Sequence, residues 1–369
     1  MLKRIYIDNY KCLVNFELSI GKINLLLGPN GGGKSTVFEV LRKIRSIVNA
    51  DSSIRNEFEY SSLTRWQSSL IQKFELELEQ ENNTYKYELT IEHDKKEQKP
   101  HIKSENLWSN DHPLFSAEKG EAQIFREDST EGDRYLFSPD SSLIGTLSPH
   151  FNMQIHGFRQ CMRNLLIVQI DPRIIVDVIK EVEPYPSIYF DNYAAWYSFL
   201  SRDQGWLIDL TKALKEVLPG FKHFKFVEAG EGFSVLKVII SKPDDDRSFL
   251  EYRLEELSDG QRAMIYLYTL LIAASKEQYT LCIDEPENFL ALPEIQPWLI
   301  QLYDSCSEGK TQALLISHHP ELINYLLASP IGYWFERQNN LAARVKQIRA
   351  EDDGGLPISD LIARGWLHE

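Results

Sequence analysis

The sequence predicts an α/β fold in which one sheet carries its chemically active groups just beyond the carboxyl ends of its strands. Three observations point there. A glycine-rich turn joins an apolar run to a helical pattern at 24–41, an apolar run at 280–283 ends in adjacent carboxylates, and another at 313–316 is followed by two histidines.

The first of these begins with Asn24-Leu25-Leu26-Leu27, an apolar strand ending at Gly28. Pro29, Asn30, Gly31, Gly32, Gly33, Lys34, Ser35 and Thr36 complete the turn, and Val37–Leu41 continues with helical spacing. Strand, loop and helix are the context that the GxxxxGK[ST] phosphate-binding loop requires. Its glycines reach φ values that other residues resist, so successive amides converge on the β- and γ-phosphates at a helix N-terminus. Lys34 adds a point charge and Ser35 a hydroxyl ligand for Mg²⁺. A turn that only links strand to helix leaves the complete pattern and its flanks unexplained. No guanine-reading Asn-Lys-x-Asp motif occurs, so ATP is the expected nucleotide.

After the helix (about 34–49) the chain alternates strictly. Phe74, Leu76 and Leu78 face one way, and Lys73, Glu75, Glu77 and Glu79 the other. A polar turn at Glu81-Asn82-Asn83 leads to Tyr85, Tyr87, Leu89 and Ile91, predicting an antiparallel hairpin. Residues 93–100 read as a charged turn and 126–146 as an exposed loop. Leu165–Val168 is a buried strand with Gln169 at its exit, and 173–218 read as helical, ending at Pro219-Gly220. Tyr189, Phe190, Tyr193, Trp196 and Tyr197 admit a base-stacking reading, but their three- and four-residue spacing fits core packing better. Strands are expected at 224–228, 233–241 and 248–254, with an acidic turn at 244–246.

Ser258, with Gln261 three residues on, is a capping box at a helix start. Thr280-Leu281-Cys282-Ile283 then delivers Asp284 and Glu285. Asp284 suits Mg²⁺ held through water, while Glu285, pointing elsewhere, suits orienting or deprotonating the attacking water. Ala313–Ile316 leads to Ser317-His318-His319-Pro320, where a histidine is placed to donate to a γ-phosphate.

In this order the loop Gly28–Ser35, the Leu257-Ser258-Asp259-Gly260-Gln261 segment, Leu281–Glu285 and His318 resemble the Walker A, signature, Walker B and switch histidine of ABC-type ATPase heads. The likeness is greatest to the bacterial ATP-binding group related to structural-maintenance-of-chromosomes and overcoming-lysogenization-defect ATPases. The N-terminal strand Leu2–Lys11, Asp-Glu-Pro-Glu-Asn at 284–288, and Ser-His-His-Pro in place of Thr-His-Ser-Pro carry it. Two features depart from the group. Phe289–Pro293 stands where a His-Pro is usual, and Asp259 replaces the second glycine of Leu-Ser-Gly-Gly-Gln.

The resemblance implies an α/β P-loop NTPase: an ABC-ATPase-like two-lobed head with an antiparallel β arm and a helical lobe. No heptads cross the insert, so no coiled coil is expected. The expected organisation is 1–170, an ATP-binding lobe with the arm; 171–257, a helical and β signature-side lobe; 258–345, the signature helix, Walker B and switch strand completing the ATP core; and 346–369, a C-terminal extension whose segment from Pro357 reads as a short helix. The resemblance also implies a magnesium-contacting glutamine, with Gln169 the first candidate and Gln67 and Gln72 behind it. Amides at Ser258–Gln261 would bind the γ-phosphate of a nucleotide on the opposite subunit. One P-loop and one signature per chain then imply a head-to-tail homodimer, or a higher homo-oligomer of such dimers.

Composition is that of an ordinary soluble protein, 43% hydrophobic and 25% charged. No apolar run approaches bilayer length, so a cytoplasmic protein without membrane association is expected. The four cysteines, Cys12, Cys161, Cys282 and Cys306, form no CxxC pair. A net charge of −14 does not indicate nucleic-acid binding, although a basic groove formed on dimerisation stays open. The expected function is an Mg²⁺-dependent ATPase controlling a separate effector protein in bacterial phage defence. The alternatives are a DNA-repair or chromosome-maintenance ATPase acting directly on DNA, and the ATPase subunit of a transporter. A C-terminal toprim nuclease has no room after residue 345 and is not expected.

Overall fold

A computed structural model describes residues 1–80, 82–126, 128–148, 151–230, 232–242, 245–319, 331–338 and 341–348. The proposed C-terminal helix from Pro357 lies outside them. The chain forms two compact units. The first comprises Met1–Leu165 with the later strands Ile331–Glu336 and Arg344–Ile348, and the second begins at Leu166.

In the first unit an eight-stranded antiparallel sheet runs in the order Phe16–Ser19, Leu2–Asp8, Ile71–Gln80, Asn83–His93, Pro100–Ser109, His112–Glu118, Glu121–Phe125, Glu131–Leu136. The predicted hairpin pairs Phe74 with Leu89 and Leu76 with Tyr87. Strict alternation buries these on one face and leaves charges on the other, where Arg4 donates to Glu17 at 3.0 Å and to Glu75 at 2.8 Å. The expected loop at 126–146 instead contains the edge strand Glu131–Leu136, paired with Glu121–Phe125. Its charged residues hide it from pattern reading and suit an edge, where they discourage further pairing. A second layer sets the fully buried strand Ile23–Leu27 parallel to Ile331–Glu336, which pairs antiparallel with Arg344–Ile348. The helix Lys34–Val48 follows the first of these strands and buries Val37, Phe38, Leu41 and Ile44.

In the second unit the buried strands Thr280–Asp284 and Gln312–Ile316 run parallel, with Asp284 opposite Ile316. Helices Tyr193–Leu200, Gln204–Val217, Asp259–Glu277 and Leu292–Ser307 surround them in sequence. A small antiparallel sheet holds Phe221–Glu228, Ser234–Lys242 and Asp245–Arg253. The helical reading of 173–218 fails over its first part. Residues 173–192 contain only the short strand Val178–Ile179, paired with Val235 and Ser234. Pro172, Pro184 and Pro186 remove amide donors there, and Asp177 is drawn instead into a two-point ion pair with Arg253 at 2.8 and 3.0 Å. Phe190, Tyr193, Trp196 and Tyr197 are buried, and Tyr193 packs 4.6 Å from Tyr266 between ring centroids. They are core, while Tyr189 is exposed.

Candidate functional site

The phosphate loop lies wholly in the first unit. Gly28, Gly31 and Gly33 have φ values of 134°, 79° and 104°. At Gly28 a Cβ would lie 2.1 Å from the Phe335 carbonyl oxygen, so glycine is required both by backbone angle and by the closeness of the neighbouring strand. Gly33 caps the following helix without a side-chain hydrogen bond, and no acidic residue occupies the first turn. The turn therefore presents the positive end of a helix whose own first turn carries no acidic residue. Lys34 is buried, and its Nζ donates to the Gly28 carbonyl at 2.7 Å and to that of Pro29 at 3.1 Å, which holds the ammonium inside the loop. Ser35 is exposed at the start of the helix, and Pro29, Asn30 and Gly31 are exposed at the crest.

The carboxylates and histidines lie in the second unit. Asp284 ends its strand half-buried. Glu285 turns into the left-handed region (φ 52°), and its N–H donates to the Ile316 carbonyl at 2.9 Å. That reversal turns the chain sharply at the end of the strand. Asn288 Nδ2 donates to Glu285 Oε2 at 2.7 Å, and His318 Nε2 stands 3.8 Å from Glu285 Oε1.

Glu287 had no role in the sequence reading. Its Oε1 accepts from Ser317 Oγ at 2.6 Å and from the His318 N–H at 3.3 Å, so it joins the two strand-end loops. In the sequence it appears only as the third carboxylate of Asp284-Glu285-Pro286-Glu287, two residues after Glu285. His319, by contrast, directs its N–H to Ser317 Oγ at 3.1 Å, and its Nδ1 is buried.

The capping box at Ser258 is formed reciprocally. Gln261 N–H donates to Ser258 Oγ at 3.2 Å, and the Ser258 N–H donates to Gln261 Oε1 at 3.0 Å. Asp259 pairs with the buried Arg262, which also holds the Leu254 and Glu255 carbonyls at 3.3 and 3.1 Å. Gly260 passes close to the Phe289 carbonyl, 3.1 Å from where a Cβ would sit. Ser258, Gly260 and Gln261 line a cavity of about 510 Å³ together with Glu216–Pro219 and Glu294.

The glutamine candidates separate by environment. Gln72 is buried, with Nε2 donating to the Asn9 carbonyl and Ser62 Oγ and Oε1 on His93, so its amide is committed to the fold. Gln169 is exposed at its strand end, with its N–H on the Ile188 carbonyl, and Gln67 is half-buried. Among the described residues no three His, Cys, Asp or Glu side chains converge as a metal cage. Magnesium characteristically relies on one or two protein oxygens plus substrate phosphates, and the hydroxyl of Ser35 and the carboxylate of Asp284 are donors of that kind.

Residues 1–141 match the model of an AAA ATPase domain, and residues 205–324 that of an AAA domain described as putative AbiEii toxin, Type IV TA system. The chain is 39% identical over 41 residues to an OLD nuclease of Thermus scotoductus, a stretch covering 11% of this chain and 8% of that protein. Its fold is similar to the SMC head domain from Thermotoga maritima, with a TM-score of 0.50 at 12% identity, covering 95% of this chain and 99% of that one. It is also similar to an SmcHead bound to the C-winged helix domain of ScpA, with a TM-score of 0.53 at 11% identity, covering 95% and 98%. The fold is thus a mixed α/β P-loop ATPase fold resembling an SMC head. The longest helix among the described residues, Asp259–Glu277, has 19 residues, and no described helix is long and apolar enough to cross a membrane.

Proposed function

We propose that this chain, a P-loop ATPase of the AAA-domain, AbiEii-toxin and SMC-head type, hydrolyses ATP at sites shared by two copies and uses the cycle as a switch on a separate effector. Lys34 and the amides of Gly31–Ser35 hold the phosphates. Ser35 and Asp284, with Gln169, would hold magnesium, which when bound neutralises charge building between the phosphate oxygens. Glu285 takes the proton of the attacking water, and Asn288 fixes one carboxylate oxygen while the other faces His318. Ser258 and the amides through Gln261 from the second copy close on the γ-phosphate.

The observation that carries the reading is the aimed Glu285 carboxylate, turned by a left-handed backbone and tethered by Asn288 beside His318. Glu285→Gln keeps every phosphate-binding group and removes the base. Turnover should fall at least about 100-fold while ATP binding persists and the dimer accumulates. An unchanged turnover rate overturns the assignment.

The match to a putative toxin-system model and the short OLD nuclease likeness support a role in bacterial phage defence, with the partner effector as a separate protein. Stimulation of turnover by DNA ends would favour direct action on DNA instead.

A further inference from the structure

The signature helix begins with a carboxylate, Asp259, at the end that closes on a triphosphate in the reading above. A carboxylate there repels the phosphates unless cations offset it. Arg262 pairs with Asp259, but it is buried and also holds the Leu254 and Glu255 carbonyls, so it is committed to the fold. A second cation, Arg173, is exposed. Its guanidinium is held above the ordinary range, first by the Asp171 carboxylate and also by Asp259, which places it in the field of the signature start.

Arg173 is fixed from two sides. Its Nε and Nη2 donate to Asp171 Oδ1 and Oδ2, both at 2.8 Å, and its backbone N–H donates to Oδ1 at 3.1 Å. Pro172 stiffens the chain between the two partners. The guanidinium carbon stands 5.2 Å from the centroid of the Phe289 ring. Phe289 in turn touches the signature, since its carbonyl oxygen lies 3.1 Å from where a Cβ on Gly260 would sit. The Nη1 edge has no acceptor among the described residues. An arginine with one edge tied and one face packed on a ring loses little freedom when its open edge takes a phosphate.

We infer that Arg173 is a catalytic arginine supplied in trans: it travels with the signature helix to the γ-phosphate held by the opposite copy's Gly28–Ser35 loop and stabilises the charge that develops there. The inference rests on the shared-site reading above and adds a catalytic residue to it. Backbone amides and the Ser258 hydroxyl carry no net charge, so Arg173 gives the signature side the cation that transfer of a phosphoryl group to water calls for.

The test reads ATP turnover of full-chain variants, alone and mixed, with the affinity of the dilute chain for the non-hydrolysable β,γ-imido analogue of ATP measured alongside. Arg173→Ala should lower turnover about 100-fold and leave that affinity unchanged, while Arg173→Lys, which keeps the charge but not the fork, should recover part of the loss. Mixed in equal amounts with Lys34→Ala, Arg173→Ala should regain up to about a quarter of wild-type turnover, because each mixed dimer then sets one intact Arg173 against an intact Lys34 on the other copy. Unchanged turnover in Arg173→Ala, a matching loss of analogue affinity, or no recovery in the mixture overturns the assignment. A parallel mixture of Ser258→Arg with Lys34→Ala separates this assignment from the reading beneath it. Recovery there but not with Arg173→Ala removes the arginine alone, and recovery in neither removes the shared site as well.

Discussion

His318 Nε2 stands 3.8 Å from Glu285 Oε1, and the two residues come from loops that leave adjacent parallel strands. The pair is placed by backbone geometry at both ends. Glu285 is anchored through its own N–H to Ile316, the last residue of the strand that delivers His318. A shift of either strand end therefore moves Glu285 and His318 together.

The side-chain tie between these loops is Glu287. Removing its carboxylate leaves Ser317 Oγ and the His318 N–H without their acceptor and frees the histidine loop from the carboxylate turn. Glu287→Ala should lower turnover about tenfold with ATP affinity unchanged, whereas Glu287→Gln, which keeps an acceptor oxygen, should stay near wild type. Steady-state kinetics on a Glu287→Ala, Ser317→Ala double-mutant cycle should show a coupling of about 0.5–3 kcal/mol. Strict additivity would mean that the contact does not position the loop.

Gly28 and Gly31 separate two reasons for glycine in one loop. At Gly31 (φ 79°) an added methyl meets nothing within 4 Å, so Gly31→Ala should cost only the backbone term, about 1–2 kcal/mol. At Gly28 the methyl collides with the Phe335 backbone, and Gly28→Ala should cost more than about 4 kcal/mol. Urea melts of the two variants check the order, and equal losses would refute the steric account.

The parts legible in the sequence are those written within a few residues of one another. The phosphate loop needs only its glycines, Lys34 and Ser35 between a strand and a helix, and the capping box only Ser258 and Gln261. Strict alternation gave the hairpin that pairs Phe74 with Leu89. What escaped is non-local. The bond from Ser317 to Glu287 depends on the parallel register of Asp284 against Ile316, and the approach of Phe335 to Gly28 on strand pairing more than 300 residues along the chain. Residues 173–192 escaped for another reason, since apolar spacing there suggested a helix that the prolines prevent.

The arm sheet carries a pH-dependent burden at Glu105. Its carboxyl is fully buried, and burial raises its pKa from the ordinary 4.5 to about 7, although Ser142 Oγ and Tyr87 Oη both donate to Oε1 at 2.7 Å and oppose the rise. Between pH 4.5 and 7 the folded chain thus holds a proton that the unfolded chain has released. Stability from this group is fully present below about pH 4.5 and declines through pH 7, by about 3 kcal/mol in all. Glu105→Gln, which cannot ionise, should be more stable than wild type at pH 8 and equal to it near pH 5. Denaturant melts across that range decide the matter, and a pH-independent difference would show that ionisation of Glu105 is not the cause.

The shared-site proposal makes the most demanding prediction, because each variant is meant to fail for a different reason. Lys34→Ala removes the ammonium that donates to Gly28 and Pro29, and should lose ATP binding. Ser258→Arg places a long cation at the start of the signature helix, where the serine hydroxyl accepts from Gln261, and should still bind ATP while blocking closure of the pair. Each alone should hydrolyse almost nothing. Mixed in equal amounts, half of the dimers combine one of each, and one of their two sites then joins an intact Lys34 to an intact Ser258. Turnover should recover to at most about a quarter of wild type, the fraction a two-fold head-to-tail pair allows. Turnover measured against the mixing ratio should peak at equal amounts. A flat, inactive profile, or full activity in either variant by itself, would mean that each chain does not borrow its second half-site from another copy.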